Sequence, residues 1–228
     1  MIFFRKAVLI IHGFAGGTYD EENLAIRLER HAKLDVYSFT LPGHDKLGFR
    51  TKKYNEWVDA SEEQLNRLIS YGYKDIYLIG HSMGGVIATY LASKYKCVKK
   101  LVLAAPAFTY LTFGDNSKTL DKVKSAIDAI KENDKDEIVT RFLKLPLTSI
   151  SEFIKLINQY AFIYKEIKVP TLILHGKDDT IVPPESSKNI YDSIKSKKKK
   201  IVFLDNESHD LFEYIDSPAI DYVENFLK

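Results

Sequence analysis

The sequence has a single cysteine, Cys97, among 228 residues. One thiol excludes an internal disulfide framework and is typical of a protein from a reducing compartment. Long hydrophobic runs are also missing near the amino terminus, where the apolar run 7–11 is too short for a signal peptide or a membrane span. We therefore expect a cytoplasmic protein without stable membrane insertion.

An excess of charge of one sign is missing too, because 33 Lys and Arg residues face 31 Asp and Glu residues and the formal net charge is +2. So small a charge gives no reason to expect a nucleic-acid partner. The most basic run, 195–200, precedes an apolar segment. It is interpreted as a solvated loop before a strand, with contact to an anionic surface as the alternative.

Spacings that bind metals or nucleotides are absent from the sequence. The histidines and carboxylates show neither H-E-x-x-H nor paired-cysteine spacing, so we expect no metal site. Gly13, Gly16 and Gly17 match neither the dinucleotide fingerprint G-x-G-x-x-G nor the Walker phosphate loop. No cofactor is expected.

The composition, with 45% hydrophobic and 28% charged residues, is ordinary for a soluble globular protein, and the length suits one α/β domain with a small insertion. Short apolar runs that alternate with helical patterns predict a mostly parallel, doubly wound sheet with helices on both faces. About six strands are predicted: 7–11, 35–41, 76–79, 100–106, 169–174 and 201–204.

The alternation stops between residues 108 and 168, where no strand pattern is found. Helical spacing predicts three helices there, with apolar positions at Leu120, Val123, Ile127 and Ile130, at Ile138, Phe142 and Leu143, and at Phe153, Ile154, Ile157, Tyr160, Phe162 and Tyr164. We interpret 108–168 as a helical cap inserted between two core segments, 1–107 and 169–228.

The third predicted cap helix is rich in aromatic residues. Phe153, Ile157 and Tyr160 are candidates for a substrate-binding surface over the active edge of the sheet. The same residues are equally well explained as the core of the cap, since one helix face can serve each purpose.

Two capping boxes are predicted at helix starts. Thr18 with Glu21 precedes the first helix of the chain, and Ser149 with Glu152 precedes the third helix of the cap. In a capping box each side chain bonds a backbone N–H of the first turn, so these four residues are assigned to helix ends.

The central predicted strand joins a helix of small residues through Gly80-His81-Ser82-Met83-Gly84, a G-x-S-x-G pattern. A serine at such a turn is exposed over the end of the sheet, and the flanking glycines let neighbouring backbones approach. Its position at a helix N-terminus favours developing negative charge. The pattern alone is weak, so a glycine-rich turn with an incidental serine is the alternative; the strand before it and the helix after it support a nucleophile.

Loops at the ends of other predicted strands carry further reactive side chains. The loops are 12–17, 42–45, 175–183 and 206–210. Because the carboxyl ends of parallel strands lie at one edge of a sheet, Ser82, Asp179 and His209 are expected to share that edge.

The order Ser82, Asp179, His209 resembles the triad of the α/β-hydrolases, and the chain is similar to the bacterial carboxylesterase and monoacylglycerol-lipase group of that family. The resemblance covers nearly the whole chain and is least specific in the cap. Its motifs are His12-Gly13-Phe14, Pro42-Gly43-His44, Gly80-His81-Ser82-Met83-Gly84-Gly85, Gly176-Lys177-Asp178-Asp179 with Val182-Pro183, and Ser208-His209. Many relatives have an extra pair of strands before the first strand predicted here, of which Ile2 to Phe4 is at most a stub.

The resemblance implies a role for each part of the site. Ser82 would be the nucleophile, His209 the base and then the acid, and Asp179 the carboxylate that orients the histidine. The backbone N–H groups of Phe14 and Met83 would form the oxyanion hole.

Some of these assignments have rivals in the sequence. His44 is the rival of His209, since its loop lies at the same edge. Asp178 and, less well, Asp205 are the alternatives to Asp179; in the family the acid commonly lies three residues after the glycine, which selects Asp179. The other histidines have simpler assignments: His12, His81 and His175 are expected to brace loops, and His31 to lie at the surface.

The sequence therefore predicts a cofactor-free serine carboxylesterase that acts on short- to medium-chain esters, with monoacylglycerols as candidate substrates, through an acyl-Ser82 intermediate. The acceptor chemistry rests on resemblance, so a thioesterase, amidase or C–C hydrolase with the same residues is the alternative. A non-catalytic binding protein of the fold is a third interpretation, which the presence of all three residues disfavours. The expected partner is a small-molecule ester, and the chain is expected to be a monomer or homodimer.

Overall fold

The computed structural model describes residues 5–31, 33–45, 48–108 and 145–228. The strands are β1 (Lys6–Ile11), β2 (Leu34–Ser38), β3 (His44–Asp45), β4 (Gly48–Phe49), β5 (Ile76–His81), β6 (Val98–Ala104), β7 (Thr171–Gly176) and β8 (Lys199–Leu204). The helices are α1 (Glu22–Glu29), α2 (Tyr54–Ser70), α3 (Met83–Lys94), α4 (Leu147–Tyr160), α5 (Pro184–Ser193) and α6 (Pro218–Leu227), with a short 3₁₀ helix at Ile163–Glu166.

The main sheet has six strands in the order β2-β1-β5-β6-β7-β8, and every neighbouring pair is parallel. This arrangement confirms the predicted doubly wound sheet and each of its six predicted strands. Strands β3 and β4 form a separate antiparallel pair, which the sequence does not predict because two-residue strands have no periodic pattern. Parallel strands place all their carboxyl ends at one edge, and the loops at that edge hold the candidate site.

Strand β1 shows why the apolar runs are continuous. Leu9 packs in the core covered by α2, α3, α4 and α5, whereas Val8 and Ile10 pack in the core covered by α1 and α6. A strand that is covered on both faces has no polar side, so its sequence is hydrophobic throughout. Burial of one such aliphatic side chain contributes about 1.5–3 kcal/mol to stability relative to exposure.

Helix α4 belongs to the segment predicted as a cap. It begins at Leu147, and the predicted capping box is wrong because Ser149 and Glu152 both lie inside the helix. The Ser149 hydroxyl instead contacts the Thr51 hydroxyl at 2.8 Å, and the Glu152 carboxylate accepts the Tyr54 N–H at 3.1 Å. These polar contacts tie α4 to the start of α2.

Other predictions lie outside the described residues. These are the first two predicted cap helices, with Leu120, Val123, Ile127, Ile130, Ile138, Phe142 and Leu143, and the stub at Ile2 to Phe4. The division into a cap, 108–168, and a core stays a prediction. Within the described ranges, no helix has both the length and the apolar character needed to cross a membrane.

Candidate active site

Ser82 lies on the turn between β5 and α3 with φ 51° and ψ −117°. This backbone conformation is strained for a residue with a side chain, and such strain is concentrated at functional sites. The flanking glycines allow the turn, because a Cβ at Gly80 would collide with the Gly84 backbone and a Cβ at Gly84 would collide with the Ile11 carbonyl. Close backbone contacts on both sides of the serine therefore explain the G-x-S-x-G spacing.

Backbone hydrogen bonds hold this strained serine in place. The Ser82 N–H donates to the Ala104 carbonyl at 2.9 Å, and the Ser82 carbonyl accepts the N–H groups of Gly85 and Ala107 at 3.0 and 3.2 Å. Ala104 ends strand β6, so the neighbouring strand helps to define the turn. Ser82 precedes the first residue of α3, where the helix dipole favours an anion.

Asp179 and His209 form a buried hydrogen-bonded pair. Nδ1 of His209 lies 2.7 Å from Oδ2 of Asp179, and the two residues are 3% and 8% exposed, respectively. The other carboxylate oxygen accepts the N–H groups of Ile181 and Val182, both at 2.8 Å. Nε2 of His175 lies 3.1 Å from Oδ2. Four donors thus surround one carboxylate.

These donors favour the ionised form of Asp179. Burial alone would raise its pKa, but the charge of His209 and the hydrogen bonds from His175, His209 and Val182 outweigh burial and hold the pKa well below its usual range. Asp179 is therefore a carboxylate at neutral pH and accepts a hydrogen bond from the Nδ1–H of His209. This tautomer leaves Nε2 of His209 as the basic nitrogen.

The rival carboxylates lie elsewhere. Asp178 follows β7 and is exposed, and Asp205 forms an ion pair with Lys177 at 2.6 Å. Asp179 is the one of the three that contacts His209. Among the described residues, no group of three or more His, Cys, Asp or Glu side chains could hold a metal ion.

His44 and His12 are buried and neutral. Nδ1 of His44 donates to the Pro42 carbonyl at 3.2 Å, and burial together with the nearby His12 lowers the pKa of His44 to about 3. Nδ1 of His12 donates to the Gly13 carbonyl at 2.8 Å, Nε2 accepts the Leu41 N–H at 2.9 Å, and burial lowers its pKa to about 4. The hydrogen bonds of both rings join backbone groups rather than a carboxylate, which distinguishes both from His209.

His175 and His31 match their expected surroundings. His175 braces the loop after β7. Its Nδ1 lies 2.6 Å from the Ser187 hydroxyl, and its single Nε2–H is shared between the Asp179 carboxylate at 3.1 Å and the Val182 carbonyl at 2.8 Å. His31 lies near the end of α1, with a partly exposed side chain 3.4 Å from Glu224.

Glu21 is a buried carboxylate that the sequence assigns wrongly. The predicted capping box of Thr18 and Glu21 is absent, because Glu21 precedes α1 without a capping hydrogen bond. Its Oε1 instead lies 3.0 Å from Nδ1 of His81, and the two residues are 1% and 3% exposed. Nε2 of His81 lies 3.0 Å from the backbone carbonyl oxygen of His209. No local pattern separates such a carboxylate from a capping one.

Ser82 and His209 line one small pocket. The other described lining residues are Gly13, Phe14, Ala15, Gly16, Asp20 and His81. Asp20, which the sequence pattern does not single out, accepts the Gly17 N–H at 3.0 Å. The pocket therefore brings a serine hydroxyl, an imidazole and a loop of small residues together.

The oxyanion-hole candidates adjoin the serine. Phe14 lines the pocket next to Gly13, where an added Cβ would lie 3.2 Å from Cβ of Ser82. Met83 is the first residue of α3, where backbone N–H groups have no acceptor within the helix. Both candidates thus lie beside the serine, and their role as oxyanion donors stays a prediction.

The substrate-binding candidates on α4 are not among the described lining residues of this pocket. Phe153 and Ile157 are 3% and 5% exposed. The ring of Phe153 stacks on that of Phe14 with centroids 4.8 Å apart, and the ring of Tyr160 lies 4.8 Å from that of Tyr90. These contacts favour a core role for the aromatic face of α4 and connect it to the Phe14 loop.

Two family profiles match the chain. The profile described as alpha/beta hydrolase fold matches residues 6–155, and the profile described as serine aminopeptidase, S33, matches residues 109–215. Among curated proteins, the thermostable monoacylglycerol lipase of Bacillus sp. (strain H-257) is 29% identical over 230 residues, which cover 93% of this chain and 86% of the relative. The carboxylesterase of Bacillus subtilis (strain 168) is 23% identical, with 90% and 84% covered.

Solved structures share the fold. The crystal structure of Paleococcus ferrophilus monoacylglycerol lipase matches with a TM-score of 0.71 at 20% identity, over 97% of this chain and 92% of that chain. The first family profile spans more than half of the chain, including the elbow at Ser82. With its parallel six-stranded sheet, this chain belongs to the alpha/beta hydrolase fold family.

Proposed function

We propose that this protein is a cytoplasmic serine carboxylesterase that hydrolyses short- to medium-chain carboxylic esters, with monoacylglycerols as candidate substrates. The observation that carries the proposal is the strained Ser82 in one pocket with His209, whose Nδ1 bonds the buried Asp179. Relatives named monoacylglycerol lipase and carboxylesterase, similar over most of the chain, support ester substrates.

The proposed reaction begins with proton transfer from the Ser82 hydroxyl to Nε2 of His209 as Oγ attacks the ester carbonyl carbon. The Asp179 carboxylate stabilises the imidazolium that forms. The N–H groups of Phe14 and Met83 bind the developing oxyanion, and each such donor contributes about 3–4 kcal/mol to transition-state stabilisation.

Collapse of the tetrahedral intermediate breaks the bond to the alcohol, which leaves with the proton from His209 and yields an acyl-Ser82 ester. Water then attacks the acyl carbon, and His209 takes its proton and returns one to Oγ as the acid departs. Two half-reactions of this kind predict ping-pong kinetics with a burst of the first product.

The test is hydrolysis of a p-nitrophenyl ester series from acetate to palmitate by wild type and by Ser82→Ala. We expect an optimum at short to medium chains and a loss of turnover of roughly six orders of magnitude in the variant. Substantial activity in Ser82→Ala would contradict the assignment of the nucleophile.

A second outcome of this test would retain the nucleophile but change the proposed class of substrate. If wild type shows no ester turnover but Ser82 is labelled covalently by a fluorophosphonate, the nucleophile is retained. The carboxylesterase proposal then fails, and thioesters, amides and C–C bonds become the next substrates to assay.

A further inference from the structure

His81 connects three parts of the site through one ring. It immediately precedes Ser82 at the end of β5, and its ring centroid lies 5.1 Å from that of His209. Nδ1 lies 3.0 Å from Oε1 of Glu21, and Nε2 lies 3.0 Å from the backbone carbonyl oxygen of His209. The serine turn, the first helix and the His209 loop therefore meet at this side chain.

The two bonds of His81 restrict where its protons lie. A carbonyl oxygen only accepts, so Nε2 must carry a proton toward His209. Nδ1 faces the Glu21 carboxyl group, and one proton lies between them, either on the imidazole or on the acid. Both arrangements give the same Nε2–H bond to the His209 carbonyl.

Glu21 and His81 together carry no net charge when they share one proton between them. Burial raises the pKa of Glu21 to about 7. Burial opposes a charge on His81, but the hydrogen bond and charge of Glu21 outweigh it and raise the pKa of His81 to about 9. The shared proton is therefore retained at neutral pH.

We propose that Glu21 and His81 are positioning residues for the reacting imidazole of His209. Asp179 holds the ring of His209 by its Nδ1, and His81 holds the backbone of the same residue by its carbonyl. Glu21 keeps His81 in the tautomer that donates from Nε2, as outer carboxylates do for histidines at other sites. The inference rests on the proposed function, because it assigns this fixation to proton transfer with Ser82.

Glu21 can be changed so that its hydrogen bond is either lost or kept. With Glu21→Leu, Nδ1 of His81 loses its partner, so the ring can adopt the tautomer in which an unprotonated Nε2 faces the His209 carbonyl. With Glu21→Gln, the amide N–H can donate to Nδ1 and the donating Nε2–H is kept. Glu22, the next residue, is exposed and offers a matched control.

The experiment compares wild type, Glu21→Leu, Glu21→Gln and Glu22→Leu on a p-nitrophenyl ester that wild type hydrolyses. We expect kcat to fall about 10- to 100-fold in Glu21→Leu with KM within about twofold, since misplacement of a reacting group costs up to about 100-fold in rate. We expect Glu21→Gln to lie within about threefold of wild type and Glu22→Leu to match it. Thermal unfolding checks that each variant is folded.

Two results would overturn the inference: a folded Glu21→Leu with wild-type kcat, or a Glu21→Gln as slow as Glu21→Leu. The rate of Ser82 modification by a fluorophosphonate gives the same comparison without ester turnover, so a failed carboxylesterase proposal stays distinguishable from a failed inference. If Glu21→Leu does not fold, the ¹⁵N shifts of the His81 ring in wild type decide. An unprotonated Nε2 there contradicts the proposal, and a protonated Nε2 supports it.

Discussion

The candidate site has two sides, with histidine pKa values that are lowered on one side and, at His81, raised on the other. The aromatic side consists of His12, Phe14, His44, Phe49 and Trp57. The carboxylate side consists of Glu21, His81, Asp179 and His209. The rings of the aromatic side pack edge-on or tilted around Phe14 and His44, whereas side-chain hydrogen bonds join both pairs of the carboxylate side.

Burial does not explain why the pKa is lowered in His12 and raised in His81, because the two residues are 1% and 3% exposed. Their hydrogen-bond partners explain the difference. His12 bonds the backbone of Gly13 and Leu41, and its pKa falls to about 4, whereas the Glu21 carboxylate raises the pKa of His81 to about 9. The histidines of the aromatic side are therefore neutral at neutral pH, and the carboxylate side is the one that can hold and move protons.

Among changes that compare the two sides, the largest effect should come from neutralising the carboxylate side. Asp179→Asn should lower kcat by up to about 10⁴, because the amide favours the wrong tautomer of His209. Asp178→Asn, at the exposed neighbouring position, is the matched control and should change kcat little. Steady-state kinetics on one p-nitrophenyl ester measures both, and the reverse ranking would assign the acid to Asp178.

A second prediction compares two histidines within the aromatic side. His12→Leu leaves the buried Leu41 N–H without its acceptor, which costs about 1–3 kcal/mol of unfolding free energy. His44→Leu should cost less. Nε2 of His44 has no hydrogen-bond partner among the described residues, and the Pro42 carbonyl still accepts the Trp57 Nε1–H at 3.0 Å.

Urea unfolding of the two variants at pH 7.5 measures this difference. Both replacements remove a buried imidazole from neighbouring positions, so the packing loss is matched. Equal losses would show that the Leu41 hydrogen bond contributes nothing measurable.

A third prediction separates the two sides by pH. The folded pKa of His12 is about 4, below the usual 6.5, so the unfolded state binds more protons between these values and stability falls as pH drops from 6.5 to 4. The folded pKa values of Glu21 and His81 are raised from 4.5 to about 7 and from 6.5 to about 9, so their contribution is fully present below about pH 4.5 and is lost as pH rises from about 4.5 to 9.

Urea midpoints from pH 4 to 9.5 test both limbs. One group changes the unfolding free energy by at most about 1.4 kcal/mol per pH unit. His12→Leu should make the acid limb shallower without removing it, because His44 also has a lowered pKa, and should leave the alkaline limb unchanged. An acid limb with the wild-type slope in His12→Leu would assign the effect to other residues.

The smallest expected effect concerns α4. If its aromatic face binds substrate, Phe153→Ala and Tyr160→Ala should each shift the chain-length optimum of the ester series by a few carbons. If Phe153 instead acts through its stacked neighbour Phe14, kcat should fall with the optimum unchanged. An unchanged profile in both variants would assign these residues to the core of the predicted cap.

Strands β1, β5 and β7 could be predicted because they are buried on both faces and their sequences are continuous apolar runs. The edge strands β2 and β8 are mostly part-buried, and shorter apolar stretches indicate them. The turn at Ser82 could be predicted because its glycine spacing is a pattern of five consecutive residues, although only the contact of Gly80 with Gly84 is local and Gly84 itself packs on Ile11 of strand β1. The selection of Ser82, Asp179 and His209 used chain order and family resemblance, and their catalytic roles stay predictions that the kinetics above test.

Other features could not be read from local patterns. Both predicted capping boxes are wrong, because Glu21 and Ser149 find partners that are 60 and 98 residues away in the chain, His81 and Thr51. A carboxylate or hydroxyl near a helix start has the same local sequence whether it caps the helix or points into the protein. Only the packed structure distinguishes these cases.

The sequence by itself determined the parallel sheet, the sharp turn at Ser82 and the edge at which the loops meet, since hydrophobic periodicity and glycine spacing are patterns of short stretches of chain. The tertiary structure decided which carboxylate contacts His209 and which histidines are neutral. It also decided that Glu21 turns inward to His81. These outcomes depend on burial and on charges brought together from distant segments, because the protonation of a side chain responds to its neighbours in space rather than in sequence.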